Sequence, residues 1–402
     1  MKIVVLNFAS YPPSYGPRYR THILAEEWVK AGHEVQIVCA TNCHLASQDY
    51  LAGEYIENGV KYLCLRAVAY RNSGLRRFFY LVQATVSSLI FAWTHKESSD
   101  VVIAASVYQT DNWAASVLAK RRGAVFVRET RDLWPLTLTT IGKMGQRHPL
   151  VILIGIAEQC AIRGANLIVT TLSGSRDYFI GKGLPGEKWM FSTQVVSQVD
   201  PLPNVTDASL IAKIASMKSS GKNILMFTGS KGNAADFKTI LSAIRVLDDW
   251  ACVFIGEGEH DATLNEAMLE MPEQVLNLPK IHKSEIPNAL FLADLAWIGF
   301  FKSELYSNGI SPNKMYEYAL SSKPILLGVD CKGTFVEEFE TGMVVPSEDV
   351  DATVSALKKF SALSNDKKLK MGANGHAFVT SHCSPEIVSD SYIQAFEQIL
   401  GR

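Results

Sequence analysis

Short apolar runs alternate with stretches of helical spacing along the whole chain, the way parallel-sheet units read when both faces of the sheet are covered. In the first half Lys2–Phe8, Glu34–Ala40, Asp100–Ala105, Ala124–Glu129 and Asn166–Thr170 predict strands, with helical segments between them. The pattern restarts with Asn223–Thr228, Ala251–Ile255, Val275–Leu278, Asp294–Ile298, Pro324–Leu327 and Met343–Val345. Between the halves, Val199-Asp200-Pro201-Leu202-Pro203-Asn204 breaks any regular element with two prolines. The chain is therefore expected to divide into an α/β domain over 1–200, a second over 201–383, and a helical stretch over 384–402 that crosses back onto the first. Its length, 402 residues, also exceeds what one core usually organises, and two domains of roughly 200 residues follow.

One helical segment departs from amphipathic spacing. Phe78–Trp93 (FFYLVQATVSSLIFAW) is apolar nearly all round and follows Arg76 and Arg77. It falls short of the ~20 residues that span a bilayer, and Gln83, Thr85, Ser87 and Ser88 interrupt it. Two readings stand: a helix lying in a membrane interface with its arginines at lipid phosphates, or a helix sandwiched between the sheet and its neighbours. Leu150–Ile156 is a candidate second apolar face.

Candidate chemistry collects where the predicted strands end, the place at which open α/β sheets bind ligands. After the first strand, a Pro-rich loop carries Gly16, Arg18 and Arg20, placed to meet a phosphate or an acceptor, before a helix that runs through Lys30 to Gly32. It lacks the G-x-G-x-x-G spacing of a dinucleotide loop. Arg128-Glu129-Thr130-Arg131-Asp132-Leu133-Trp134-Pro135 crowds two arginines and two acids at a strand end, which is costly in a core unless the charges are paired. The cluster reads as a cleft lining, with Asp132 acting on an acceptor hydroxyl and Arg131 balancing a phosphate, or as an ion-pair network within the domain. Asp111, on the preceding loop, is a further acceptor-side candidate.

In the second half, Gly229-Ser230-Lys231-Gly232-Asn233 offers small residues and a cation to a diphosphate. Gly256 opens a second glycine loop, Gly256-Glu257-Gly258-Glu259, whose acids suit a turn that shapes the pocket. Ser311, Pro312 and Asn313 read as a helix start, with backbone N–H groups open to an anion and Lys314 in the first turn. Glu317 lies three residues on, on the same side, and its carboxylate can accept both hydroxyls of a ribose.

Charge sharpens the division. The net charge is −1, but residues 1–195 carry 21 Lys/Arg against 14 Asp/Glu and residues 196–402 carry 18 against 26. The basic half suits an anionic partner, such as a membrane surface or a diphosphate-linked acceptor. Nucleic acid fits poorly, because the basic residues are not interleaved with aromatics. Seven scattered cysteines without a C-x-x-C pair, and an opening apolar run too short for a signal peptide, point to reduced thiols and the cytosol. The nine histidines show no metal-ligand spacing, and His22, His33 and His44 read as surface or cap residues.

Three segments in combination, Tyr15–His33 (YGPRYRTHILAEEWVKAGH), Arg128–Leu138 (RETRDLWPLTL) and Gly309–Ile325 (GISPNKMYEYALSSKPI), make the chain resemble the family-4 retaining glycosyltransferases. The likeness is to bacterial members that build O-antigen, capsule and exopolysaccharide units, including the N-acetylfucosaminyl transferase-like group. The resemblance implies a GT-B fold, two Rossmann-like doubly wound parallel-sheet domains facing a central cleft. It implies a nucleotide-diphosphate sugar on the second domain, with Glu317 on the ribose, Lys231 and Lys314 on the diphosphate, and Gly16 beside it across the cleft. It also implies a lipid-linked glycan acceptor on the first domain at the inner membrane surface. A UDP-sugar would be a substrate, with no cofactor and no metal, and the anomeric configuration would be retained as the leaving diphosphate helps deprotonate the acceptor.

The chain departs from that pattern in three places. The first acid of the E-x7-E motif falls at Gly309, the usual Pro-Asn-Gly after the last strand of the first domain reads Thr193-Gln194-Val195-Val196, and a His after an earlier strand is replaced around Val107-Tyr108. Two alternatives follow: a non-catalytic pseudo-glycosyltransferase subunit, and a UDP-GlcNAc epimerase on the same fold.

Overall fold

A computed structural model describes residues 1–69, 75–197, 208–331 and 333–402, so the seam expected at 199–204 lies outside the described residues. The chain forms two compact units, one of Met1–Val195 with Pro385–Arg402 and one of Val196–Ser384.

The first unit is built on β1 (Lys2–Leu6), β2 (Glu34–Ala40), β3 (Gly53–Glu57), β4 (Val60–Leu65), β5 (Val101–Ala104), β6 (Val125–Thr130), β7 (Leu167–Thr170) and β8 (Trp189–Phe191). They lie in the order β3-β4-β2-β1-β5-β6-β7-β8, and only β3 is antiparallel to its neighbour. The five expected strands are all present. Three strands are additional, the edge strand β8 and the pair β3–β4, which is joined at Asn58-Gly59, both at positive φ (51° and 79°), the backbone that a tight hairpin turn requires.

The second unit holds β9 (Asn223–Thr228), β10 (Trp250–Ile255), β11 (Val275–Leu278), β12 (Leu295–Gly299), β13 (Ile325–Gly328) and β14 (Gly342–Val345). Their order is β11-β10-β9-β12-β13-β14, parallel throughout. Every strand expected there is found. β10 is buried at each of its six positions, which explains its unbroken apolar run: helices cover both faces. Strand order reverses at β1/β5 in one sheet and at β9/β12 in the other, and such switch points leave a crevice at the strands' carboxyl ends.

The last helix, Pro385–Leu400, belongs to the first unit. Its residues Val388, Tyr392 and Phe396 fall at i, i+4 and i+8, one face of a helix, and all three are buried in the core of that unit. Trp28, on the Arg20–Lys30 helix, packs against the rings of Tyr392 (5.7 Å) and Phe396 (6.2 Å). Phe396→Ala is expected to lower the stability of this unit by about 3–5 kcal/mol, measured by urea titration; a change under about 1 kcal/mol would mean the helix is not seated there.

Candidate functional site

In the second unit the β9 and β12 ends bring the glycine loops and the Asn313–Leu320 helix together. After Thr228 the chain turns at Gly229, at φ +110°. A Cβ on Gly256, itself at φ +148°, would sit 1.9 Å from the Gly229 carbonyl oxygen, and one on Gly258 would sit 2.5 Å from the Lys231 backbone. The two loops therefore pack main chain against main chain, and only glycine allows the approach. Hydrogen bonds from Gly229 N–H to Ile255 O and from Lys231 N–H to Glu257 O, both 2.9 Å, carry the β9–β10 ladder into them.

Lys231 does not face a ligand in this unit. Its side chain is buried, and its ammonium donates to Asp261 Oδ1 (2.9 Å), Asn277 Oδ1 (2.6 Å) and the Leu278 carbonyl (2.9 Å). An ammonium has three donors, and all three are used. The expected diphosphate contact is thus corrected: the cation is spent holding the Gly229–Asn233 loop to β11.

Lys314 is the opposite case. It is half-buried, its ammonium lies 3.7 Å from the centre of the Phe227 ring, and a Cβ on Gly229 would be 3.4 Å from its Nζ. Among the described residues nothing accepts a hydrogen bond from it and no acid pairs with it. Burial pushes its pKa down to about 8, with the Glu317 carboxylate opposing. Pro312 precedes the helix in an extended conformation without a side-chain cap, so the amides of the first turn keep their donors for other partners. Asn313 is exposed, and Ser311 Oγ lies 3.3 Å from Tyr316 Oη. Glu317 is half-buried, 3.3 Å from Lys283 Nζ.

The helix is fixed to β9 by Tyr318, whose buried hydroxyl accepts from Thr228 N–H (2.7 Å) and donates to Thr228 O (3.2 Å). This contact sets the height of Lys314 above Phe227 and Gly229. Gly309, where the motif acid was expected, takes φ +114°, a backbone that disfavours any side chain.

In the first unit, Gly16 lies where a Cβ would be 2.7 Å from the Tyr11 ring. Arg18 is exposed and pairs with Glu26. His22 is neither charged nor open: it caps its own helix, accepting from Tyr19 N–H at Nδ1 (3.0 Å) and contacting Tyr11 O through Nε2 (2.8 Å), with burial holding its pKa down near 4. Two acceptor-side expectations are corrected. Arg20 is buried among Ser192 Oγ, Thr193 O, Tyr392 Oη and Glu129. Asp111 is buried against Arg128 (3.3 Å), accepts from Ser106 N–H (2.7 Å), and is pushed up to about 6 by burial.

Arg128 and Glu129 are accordingly paired inside the domain, as their cost in a core demands. Arg131 and Asp132 remain outward. Arg131 is partly exposed and donates to Ala105 O (3.3 Å), joining β6 to the β5 loop. Asp132 is exposed, and desolvation by the protein around it raises its carboxyl, with Arg131 opposing.

The Leu75–Thr94 helix has two faces. Tyr80, Ala84, Ser88, Phe91 and Ala92 are buried, while Phe78, Phe79, Val82, Val86, Ile90 and Trp93 are exposed. This is a continuous apolar stripe at helical spacing, with Ile90 59% and Trp93 64% open. The Asp111–Arg122 helix packs between it and Pro149–Gly164, on which Ile152 and Ile156 are exposed. In these three helices the two acids, Asp111 and Glu158, are buried, so every exposed charge on them is basic. No helix among the described residues is long and apolar enough to cross a membrane.

Residues 15–191 match the family described as Glycosyl transferase 4-like domain. No curated protein matches the chain by sequence. Solved structures similar over the whole chain include sucrose-phosphate synthase from Thermosynechococcus elongatus (TM-score 0.71, 13% identity, 100% of this chain and 99% of that one). They also include Anabaena HepE in complex with UDP and glucose (0.63, 13%, 99% and 100%) and WaaG, a glycosyltransferase involved in lipopolysaccharide biosynthesis (0.63, 12%, 100% and 100%). The fold is GT-B.

Sequence reasoning missed Tyr318 and Phe227, which hold and floor Lys314. The signal for Tyr318 lay at i+4 from Lys314, where a helix brings two residues together; Phe227 had none, since an aromatic in a buried strand reads as core. Tyr318→Phe leaves the buried Thr228 N–H unpaired and is expected to cost about 1–3 kcal/mol in urea unfolding.

Proposed function

We propose that the chain is a retaining glycosyltransferase that moves a sugar, an N-acetylated hexosamine or deoxyhexosamine, from a UDP-sugar to a polyprenyl-diphosphate-linked glycan in surface polysaccharide synthesis. The observation that carries this reading is Lys314: a half-buried cation with no counter-ion among the described residues, beside an uncapped helix start and a glycine loop. Leaving a charge so placed is costly unless an anion completes it, and a diphosphate meets both the ammonium and the helix amides. Glu317 then takes the ribose hydroxyls, with Lys283 beside it. The uridine base of the donor is supported by HepE, which was solved with UDP-glucose.

On the first unit, Arg131 and Arg18 offer cations to an acceptor diphosphate, and Asp132, with its carboxyl raised, is suited to hold the acceptor hydroxyl proton. Stabilisation of the departing diphosphate by Lys314 and the helix amides supplies the electrostatic part of the rate. The apolar stripe of Leu75–Thr94, with Arg76 exposed at its start and Arg121 stacked 4.1 Å over Trp93, supports a peripheral position on the inner face of the cell membrane. A second reading, a non-catalytic subunit that keeps nucleotide binding, rests on Gly309, whose positive φ disfavours the motif acid.

Calorimetry with UDP tests the donor site. Since the free Lys314 loses its proton near pH 8 and a bound diphosphate would raise that pKa, binding takes up a proton and weakens as pH rises through about 8. Lys314→Met should weaken UDP roughly tenfold or more and flatten that dependence, and Glu317→Ala should stop transfer from a panel of UDP-sugars into membrane extract. UDP binding without transfer to any acceptor favours the non-catalytic reading; no UDP binding removes the donor assignment.

Flotation with vesicles of neutral and of anionic phosphatidylglycerol-containing lipid tests the membrane face. The wild type should float with anionic vesicles only, and Arg76→Glu or Ile90→Glu should reduce that several-fold, since each basic residue near the surface contributes about 1 kcal/mol. Equal behaviour of variants and wild type would move the membrane contact elsewhere.

A further inference from the structure

We infer that Tyr392, on the last helix of the chain, is a positioning residue that aims Arg131 from within the protein. This rests on the reading of Arg131 as an acceptor-side cation. Four elements meet at the buried Glu129 carboxylate. Its Oε2 accepts the Tyr392 hydroxyl at 2.5 Å and lies 3.4 Å from Arg20 Nε. Arg20 in turn donates to Tyr392 Oη (3.0 Å), Ser192 Oγ (2.8 Å) and Thr193 O (2.6 Å), so each of its three nitrogens is engaged. Glu129 Oε1 is buried with no hydrogen-bond partner among the described residues, and Arg131 Nε stands off it at 3.7 Å, beyond hydrogen-bond length.

The geometry makes one oxygen of Glu129 a fixed pivot and leaves the other as a lone acceptor facing Arg131. The Tyr392 bond is short and charge-assisted, the stronger of the two at Oε2. While it holds, the carboxylate cannot swing, and Arg131 keeps its outward setting on the Ala105 carbonyl. Without it, Oε2 retains only the long Arg20 contact, the carboxylate turns, and Oε1 closes on Arg131 and draws the guanidinium inward. Tyr392 and Arg20 are otherwise packed in the core, so loss of one hydroxyl leaves the shape of the site intact.

Tyr392→Phe is the test, in the full chain. The expected result is a roughly three- to tenfold rise in acceptor KM, with donor KM and kcat little changed. The effect should vanish in an Arg131→Lys background, because coupled residues are not additive. A second readout needs no turnover: the rate at which phenylglyoxal modifies Arg131, followed by peptide mass spectrometry, should fall several-fold in Tyr392→Phe. Unchanged Arg131 reactivity overturns the proposal, as does a KM effect that persists undiminished in Arg131→Lys. Wild-type protein that transfers to no acceptor while the Arg131 reactivity shift is present would count against the proposed function and leave the positioning role standing.

Discussion

A cation taken out of water must be given its acceptors or its anion, and this constraint organises both units. Arg20, Arg128 and Lys231 meet it internally: each is buried and surrounded by carboxylates, amides and carbonyls. Removing one partner from such a pair strands a charge and costs about 3–5 kcal/mol, so these residues hold the strand ends rather than serve a ligand. Lys314 finds neither among the described residues. The same physics thus separates the cations that build the loops from the one that the loops present.

Position follows from that separation. Arg128 binds the Ala104 and Ser106 carbonyls and Asp111, which sets the end of β5 beside the end of β6. Lys231 ties the loop after β9 to the end of β11. With those loops fixed, Tyr318 needs only one hydroxyl at Thr228 to give the Asn313–Leu320 helix its height. The charged groups at the switch points are therefore layered, with paired ions beneath and Arg131, Asp132, Lys314 and Glu317 above.

Both sheets were legible in the sequence because parallel strands buried on two faces are written as unbroken apolar runs. The hairpin β3–β4 escaped, since its exposed strand carries Glu54 and Glu57, although Asn58-Gly59 marked its turn. The candidate site was legible where a helix start and its first turn lie together in sequence, as at Ser311–Glu317. It was misread where pairing is set by partners far away. Nothing near Lys231 foretells Asn277, and nothing near Arg20 foretells Tyr392, more than three hundred residues on. The Phe78–Trp93 stretch was ambiguous because the same helix buries one apolar face and leaves another exposed.

The contact between the two glycine loops is made by main chain alone. Gly229, Gly256 and Gly258 are fixed by it, but Ser230 and Asn233, between and beside them, are exposed and bear none of the packing. Variation is thereby channelled: the scaffold of the turn is closed to change, while the side chains on its rim can be exchanged without rebuilding the fold. A protein so constructed can change the chemistry of this rim while its architecture stays still, which makes those two positions open to redesign without cost to the turn.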